Sequence, residues 1–184
     1  SSEIEGEILD KGQVRSSLAR RLGMDIGATI SADRQVEGVV EMMLDATQNC
    51  AEPLTPERLY GWHAALFPTS RSGMHRITVG AWRTPEADPM QVVSGPAGRT
   101  RVHYEAPPAS RVPGEMREFL RWFNADEPLD WVLKAALAHL RYVPVQPFQA
   151  ANGRTAPPIA HPPPASPAKP PQPLTRHPPP KRPG

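Results

Sequence analysis

The sequence predicts a mainly α-helical domain that carries a β-hairpin between its helical blocks and is followed by a proline-rich tail. Three observations predict it. Apolar residues recur at helical spacing in several stretches opened by capping signals, two short β-branched stretches bounded by Gly and Pro interrupt them, and prolines crowd the C-terminal end. The chain has 184 residues, of which 39% are hydrophobic and 22% charged, enough for one modest globular domain plus a less ordered segment.

Ile4, Ile8, Val14, Leu18 and Leu22 suggest one or two short helices near the start. After Asp33, the residues Val36, Val39, Val40, Met43, Leu44 and Thr47 fall on one helical face, expected to be core. Cys50 follows this pattern as a small buried or half-buried residue. In "LTPERLYGWHAALF", Thr55 is the N-cap, Pro56 takes the first helical position and Glu57 sits in the first turn. That helix should end before Pro68 and bury Leu59, Trp62 and Leu66. "HRITVGAW" and "MQVVSG" read as two strands that pair as a hairpin, and "SGPAGRT" reads as a loop, because no helical pattern follows it. Pro113 can open a helix burying Met116, Phe119, Leu120 and Phe123. "LDWVLKAALAHLRYV" supplies Leu133, Ala136, Leu137 and Leu140 as a further buried stripe, with His139 packed or half-exposed beside it. Residues 157–184 hold roughly half of the 25 prolines and almost no apolar side chains. Such a segment cannot offset its ordering entropy by burial, so it reads as a disordered, polyproline-like tail.

Composition narrows the function classes. A net charge of +2, without a basic stripe, argues against nucleic-acid contact. The single cysteine excludes an internal disulfide and suits a reducing cytoplasm. No run of about 18 apolar residues offers a membrane span, and the first residue, Ser1, suggests a cut or processed boundary. The six histidines are scattered, and neither a metal-ligand cluster nor a Ser/His/Asp spacing is present.

One stretch carries chemistry. In "YVPVQPFQAANGRTAPP", Asn152, Gly153 and Arg154 follow a helix and a tight turn with Pro147 and Phe148, where backbone N–H groups could converge on an anion and Arg154 could add a fork of donors. "RYVPVQPFQAANGRTA" resembles the signature of Fic-domain proteins, His-Pro-Phe-x-Asp/Glu-Gly-Asn-Gly-Arg-x-x-Arg. The stretches "SSEIEGEILDKGQVRSSLARRLG", "VEGVVEMMLDAT", "RLYGWHAALFP", "VGAWRT", "MQVVSGPAGRTRVHYEAPPASRVPGEMREFLRWFN" and "AALAHL" resemble the body of bacterial Fic proteins, so the likeness covers residues 1 to about 156. The domain is therefore assigned to 1–156 and the tail to 157–184.

The resemblance implies a Fic-type helical bundle with a hairpin flap, here roughly His75 to His103. It implies transfer of AMP from ATP to a Ser, Thr or Tyr hydroxyl of a target protein, with Mg²⁺ on the phosphates. In the family the motif His is the general base, the acid holds the metal, and the Asn-Gly-Arg portion with the following helix N-terminus forms the anion hole. Carried over, the His position is Gln146, the acid position Ala150, the first glycine Ala151 and the last arginine Pro157, whereas Pro147, Phe148, Asn152, Gly153 and Arg154 match. A glutamine amide is not a useful base, and loss of one general base costs about 10²- to 10⁴-fold. Ala150 offers Mg²⁺ no oxygen. Pro157 and Pro158 are expected to abolish the helix that should start here.

"SSEIEG" resembles the family's inhibitory motif Ser/Thr-x-x-x-Glu-Gly/Asn, placing Ser1, Glu5 and Gly6 in regulatory positions. The cationic partner expected for Glu5 is replaced by Pro157. The expectation is thus a Fic-type protein with AMP transfer severely impaired or absent. The alternatives are a silent binding module that uses the flap as a peptide dock, a decayed gene product, or residual nucleotide chemistry through Asn152 and Arg154.

Overall fold

A computed structural model describes residues 9–27, 31–95, 99–126 and 128–159. Its elements run α1 (Lys11–Arg21), α2 (Arg34–Gln48), α3 (Pro56–Leu66), a small hairpin of β1 (Arg71–Ser72) and β2 (His75–Arg76), a longer hairpin of β3 (Gln91–Ser94) and β4 (Arg101–Glu105), then α4 (Val112–Asn124), α5 (Trp131–Val145) and α6 (Asn152–Ile159). One-turn 3₁₀ segments at Pro85–Ala87 and Ala109–Arg111 flank the longer hairpin.

The helix starts follow local chemistry. Asp10, Asp33 and Thr55 each accept the backbone N–H three residues on, at 2.8, 2.9 and 3.2 Å. Asp130 accepts from both Val132 and Leu133, at 2.9 and 3.3 Å. These bonds satisfy donors that a helix N-terminus leaves unpaired. Helices α2 and α3 approach so closely at Gly38 that a Cβ there would lie 1.8 Å from the Ala65 carbonyl oxygen. The core gathers Met42, Ala46, Leu59, Trp62 and Leu66 of α2 and α3, Met116, Phe119 and Leu120 of α4, Tyr142 and Val145 of α5, and Ala156 and Ile159 of α6. Asp45 knits α2 to α3, accepting from Arg58 Nε and Trp62 Nε1 at 2.7 Å each. Partial burial, the largest single influence, pulls its carboxyl up, but the bond from Asn49 Nδ2 together with these two donors holds it below the usual range.

Several expectations are corrected. "MQVVSG" pairs not with "HRITVGAW" but with Arg101–Glu105, in the register Gln91↔Glu105 and Val92↔Tyr104, and the register slips by one residue between Val92 and Val93. Only His75 and Arg76 of "HRITVGAW" form a strand, and they pair with Ser72 and Arg71. The backbone donors beyond them go elsewhere: Thr78 N–H to Gln149 Oε1 (2.9 Å), Gly80 N–H to His63 Nδ1 (3.3 Å) and Arg83 N–H to the Pro147 carbonyl (2.9 Å). The "SGPAGRT" loop does join two strands, β3 and β4, although its residues 96–98 lie outside the described set.

On α2 the buried methionine is Met42, and Met43 is exposed. On α1 the buried residues are Ser16, Ser17 and Ala19, whereas Leu18 and Leu22 face outward. Ile4 and Ile8 lie outside the described residues. The buried face of α5 is Ala138, Tyr142 and Val145; Leu133, Ala136, His139 and Leu140 are exposed and Leu137 is half-buried. Cys50 is half-buried.

The helix expected to be lost at the prolines is present as α6, which contains Pro157 and Pro158. The rule that a proline inside a helix costs about 3 kcal/mol is local. Here both prolines fall in the last turn of an eight-residue helix, and Thr155, Ala156 and Ile159 bury against neighbouring helices. That packing outweighs the loss of two donors. Helix therefore continues through Ile159; residues 160–184, the remainder of the expected tail, lie outside the described residues.

Candidate functional site

The motif turn joins α5 to α6. Pro144 sits in the last turn of α5, and the helix ends on Gln146 in the left-handed conformation (φ 47°, ψ 59°). Ala151 is also left-handed, with φ 60°, at the position where the Fic signature has glycine. A side chain in this region costs roughly 1–2 kcal/mol that glycine avoids.

Gln146 is turned back into the protein. Its Nε2 donates to the Val143 carbonyl at 2.8 Å, and its Oε1 accepts from Asn152 Nδ2 at 3.0 Å. Asn152 is a clamp: Oδ1 accepts the Phe148 N–H at 2.8 Å and Nδ2 also donates to the Phe148 carbonyl at 2.7 Å. The two side chains therefore spend their amides on the turn itself. Gly153 is half-buried at the start of α6. Arg154 is buried, its guanidinium 5.2 Å from the Phe67 ring. Thr155 and Tyr142 hydroxyls meet at 2.8 Å between α6 and α5.

Two supports of this turn are invisible to motif reading. Arg83, buried, donates from Nε to the Gln146 carbonyl at 2.7 Å and from its other nitrogens to Asp88 and to the Pro107 carbonyl. Asp88 in turn accepts the Ala109 N–H at 2.9 Å. One guanidinium thus ties the motif turn to both feet of the β3–β4 hairpin. Tyr104 of β4 adds a bond from its hydroxyl to the Pro144 carbonyl at 2.9 Å.

The second support is His63, fully buried, with its ring stacked on Phe148 at 4.2 Å and 5°. Nδ1 accepts the Gly80 N–H, so the proton of the neutral ring belongs on Nε2, which has no partner meeting hydrogen-bond geometry among the described residues. Burial drives its pKa down to about 4; the nearby Arg154 charge lowers it further, and the Ala150 backbone opposes the fall. The signal for His63 was present in the sequence: it lies at helical spacing from Leu59, Leu66 and Phe67, on the face that α3 buries. Arg83 carried no such signal.

Of the predicted site residues, the structure brings Gln146, Asn152, Gly153 and Arg154 into one turn. Ser1, Glu5 and Gly6 lie outside the described residues, as does the rest of the inhibitory stretch. Ala150, at the position of the family acid, is half-buried. Among the described residues no group of three or more His, Cys, Asp or Glu side chains is arranged to hold a metal ion, and no helix is long and apolar enough to cross a membrane.

Comparison with known proteins agrees with this architecture. Residues 53–160, more than half of the chain, match the Fic/DOC family, and residues 1–24 match a domain of unknown function (DUF4172). No curated protein is significantly similar in sequence. A Fic domain containing signaling protein from Bacteroides thetaiotaomicron superposes with a TM-score of 0.61 at 24% identity, over 86% of this chain and 57% of the other. Fic-1 from C. elegans superposes with a TM-score of 0.55 at 24% identity, over 86% of this chain and 43% of the other. The chain thus spans about half the length of these solved relatives, and the likeness at this identity is one of fold. With the family match covering the motif turn, both hairpins and α3 to α6, the chain belongs to the Fic/DOC family.

Proposed function

We propose that this chain keeps the Fic scaffold while its AMP transfer to protein hydroxyls is severely impaired or absent. The observation that carries this reading is the Gln146 amide, which stands at the family's general-base position and is engaged with Val143 and Asn152. Even if freed, an amide has no basicity near neutral pH. The residues present do not fit the family's Mg²⁺, because Ala150 carries no oxygen and magnesium requires hard oxygen ligands. The test is incubation of the full chain with ATP labelled in the α-phosphate, Mg²⁺ and a protein extract. No label on any protein is expected, either from the unaltered chain or from Gln146→His alone, since the metal position remains empty of ligands. Covalent label transferred by either would refute the reading.

A second reading is a peptide dock at the flap, and a specific observation favours it. Among the described residues β3 and β4 form a two-stranded sheet whose outer edges carry no further strand, with Val92, Val93, Val102 and Tyr104 exposed. An extended partner could add to such an edge by main-chain pairing. Val93→Pro, which removes a backbone donor, should then abolish capture of a partner peptide and leave the fold intact; unchanged capture would reject the dock.

A further inference from the structure

The outward face of α5 is apolar. Val132, Leu133 and Leu140 are 76%, 50% and 67% exposed, and Ala136 between them is exposed too. Leu133, Ala136 and Leu140 lie three and four residues apart and Val132 lies four before Ala136, so they form one stripe, which half-buried Leu137 and Val143 and exposed His139 share. A continuous apolar face bare of charge is not a normal solvated helix surface.

We propose that this face pairs with the same face of a second copy of the chain, as two antiparallel α5 helices related by a two-fold axis between Ala136 and Leu137. The pattern is self-complementary about that point. Leu133 of one copy meets the partner's Leu140, roughly 10 Å along the helix from it at about 1.5 Å per residue, and Ala136 meets the partner's Leu137. The small Ala136 at the centre lets the backbones approach, and large residues flank it on both sides.

Charge selects this orientation over a parallel one. The start of the stripe carries exposed Asp126 and Asp130, with half-buried Lys134 turned away to the Ala125 carbonyl and the Phe123 ring, and its end carries exposed Arg141. Among the described residues none of the three exposed groups has an ion-pair partner: Asp130 caps its own helix, and Arg141 lies over the Trp122 ring at 4.3 Å. Antiparallel pairing brings each acidic end to the basic end of the other copy, whereas parallel pairing sets like charges together. One helix face is smaller than the roughly 800 Å² per partner of a standard interface, so the association is concentration-dependent.

Sedimentation equilibrium of the full chain over a micromolar to submillimolar range tests the pairing. The expected result is a rise from the 20.2 kDa monomer mass to twice that value. Leu140→Glu should weaken association by about tenfold or more without changing the far-ultraviolet circular dichroism, because the side chain is exposed. In a Cys50→Ser background, the double variant Leu133→Cys, Leu140→Cys should oxidise to a covalent dimer and each single variant should not. A chain monomeric throughout, association unmoved by Leu140→Glu, or efficient cross-linking of either single variant would overturn the proposal; the first would leave the face to a different protein.

Discussion

The buried hydroxyl pair between α5 and α6 offers a test of whether the C-terminal helix is docked despite its prolines. Thr155 Oγ1 lies 3.3 and 3.2 Å from the Ala151 and Asn152 carbonyls and donates its single hydrogen there. Tyr142 must therefore donate to Thr155 across their 2.8 Å contact. Tyr142 is fully buried, and burial raises its pKa, so the phenol stays protonated. Tyr142→Phe removes one neutral hydrogen bond while Thr155 keeps its carbonyl acceptors, a loss of about 1 kcal/mol. Thr155→Val, similar in shape and helix propensity, strands the Tyr142 hydroxyl without a partner and should cost more, up to about 3 kcal/mol. In the double variant no unpaired hydroxyl remains, so its cost falls short of the sum of the two by about 1 kcal/mol. Urea titrations followed by circular dichroism would read these differences as midpoint shifts at constant slope. If Thr155→Val is no more destabilising than Tyr142→Phe, the phenol reaches water or α6 is not seated on α5, and the reasoning fails.

Gly38→Ala should destabilise by about 3 kcal/mol or more, because its Cβ would fall 1.8 Å from the backbone oxygen of Ala65. Gly61→Ala, in α3 with nothing within 4 Å of the new Cβ, should instead stabilise by about 0.5–1 kcal/mol; thermal melting of the two compares them directly. His63 gives a pH signature. Its folded pKa, about 4, lies below the ordinary histidine value near 6.5, so the unfolded chain takes up the proton first. Stability is whole above pH 6.5 and falls as pH drops from there to about 4, by on the order of 3 kcal/mol, and His63→Asn should flatten that slope in denaturant titrations. At the motif, Gln146→His should leave AMP transfer undetectable in the labelled-ATP assay, since restoring a base does not restore a metal ligand.

The helices whose boundaries were legible have explicit punctuation. Asp33, Thr55 with Pro56, and Pro113 announce starts that the structure keeps to within a residue. What failed was direction. Helix α5 is apolar nearly all the way round, so spacing alone could not decide between the Leu133–Leu140 face and the Ala138–Tyr142–Val145 face; the positions of α4 and α6 decided it. The β-branched "ITV" likewise carried no information about its partner. Ile77 donates to the Ser70 carbonyl, one step beyond the β1–β2 pairs, but Thr78 and Gly80 gave their backbone donors to Gln149 and His63, side chains remote from any strand pattern. The prolines of α6 misled because propensity is a local quantity and the burial of Thr155, Ala156 and Ile159 is not. Composition of the site was readable as a motif, but its suspension from Arg83 and its stacking on His63 were not, because both join segments more than sixty residues from the turn.

Those supports explain why the turn can outlast substitutions at the positions of the family chemistry. Arg83 binds the carbonyls of Gln146 and Pro107 and the carboxylate of Asp88, and its own N–H bonds the Pro147 carbonyl. His63 stacks on the Phe148 ring. Asn152 bonds both backbone groups of Phe148. None of these contacts uses the side chain of Ala150 or Ala151, and only one bond from Asn152 reaches the side chain of Gln146. A base and an acid can therefore be exchanged for an amide and a methyl with the backbone of the turn still held. The cost is confined to the left-handed Ala151, on the order of 1–2 kcal/mol relative to a strain-free glycine, which is small beside the packing that surrounds it. The groups at the positions of the family chemistry and the groups that hold the turn are almost separate sets of atoms, so a change in the first need not dismantle the second.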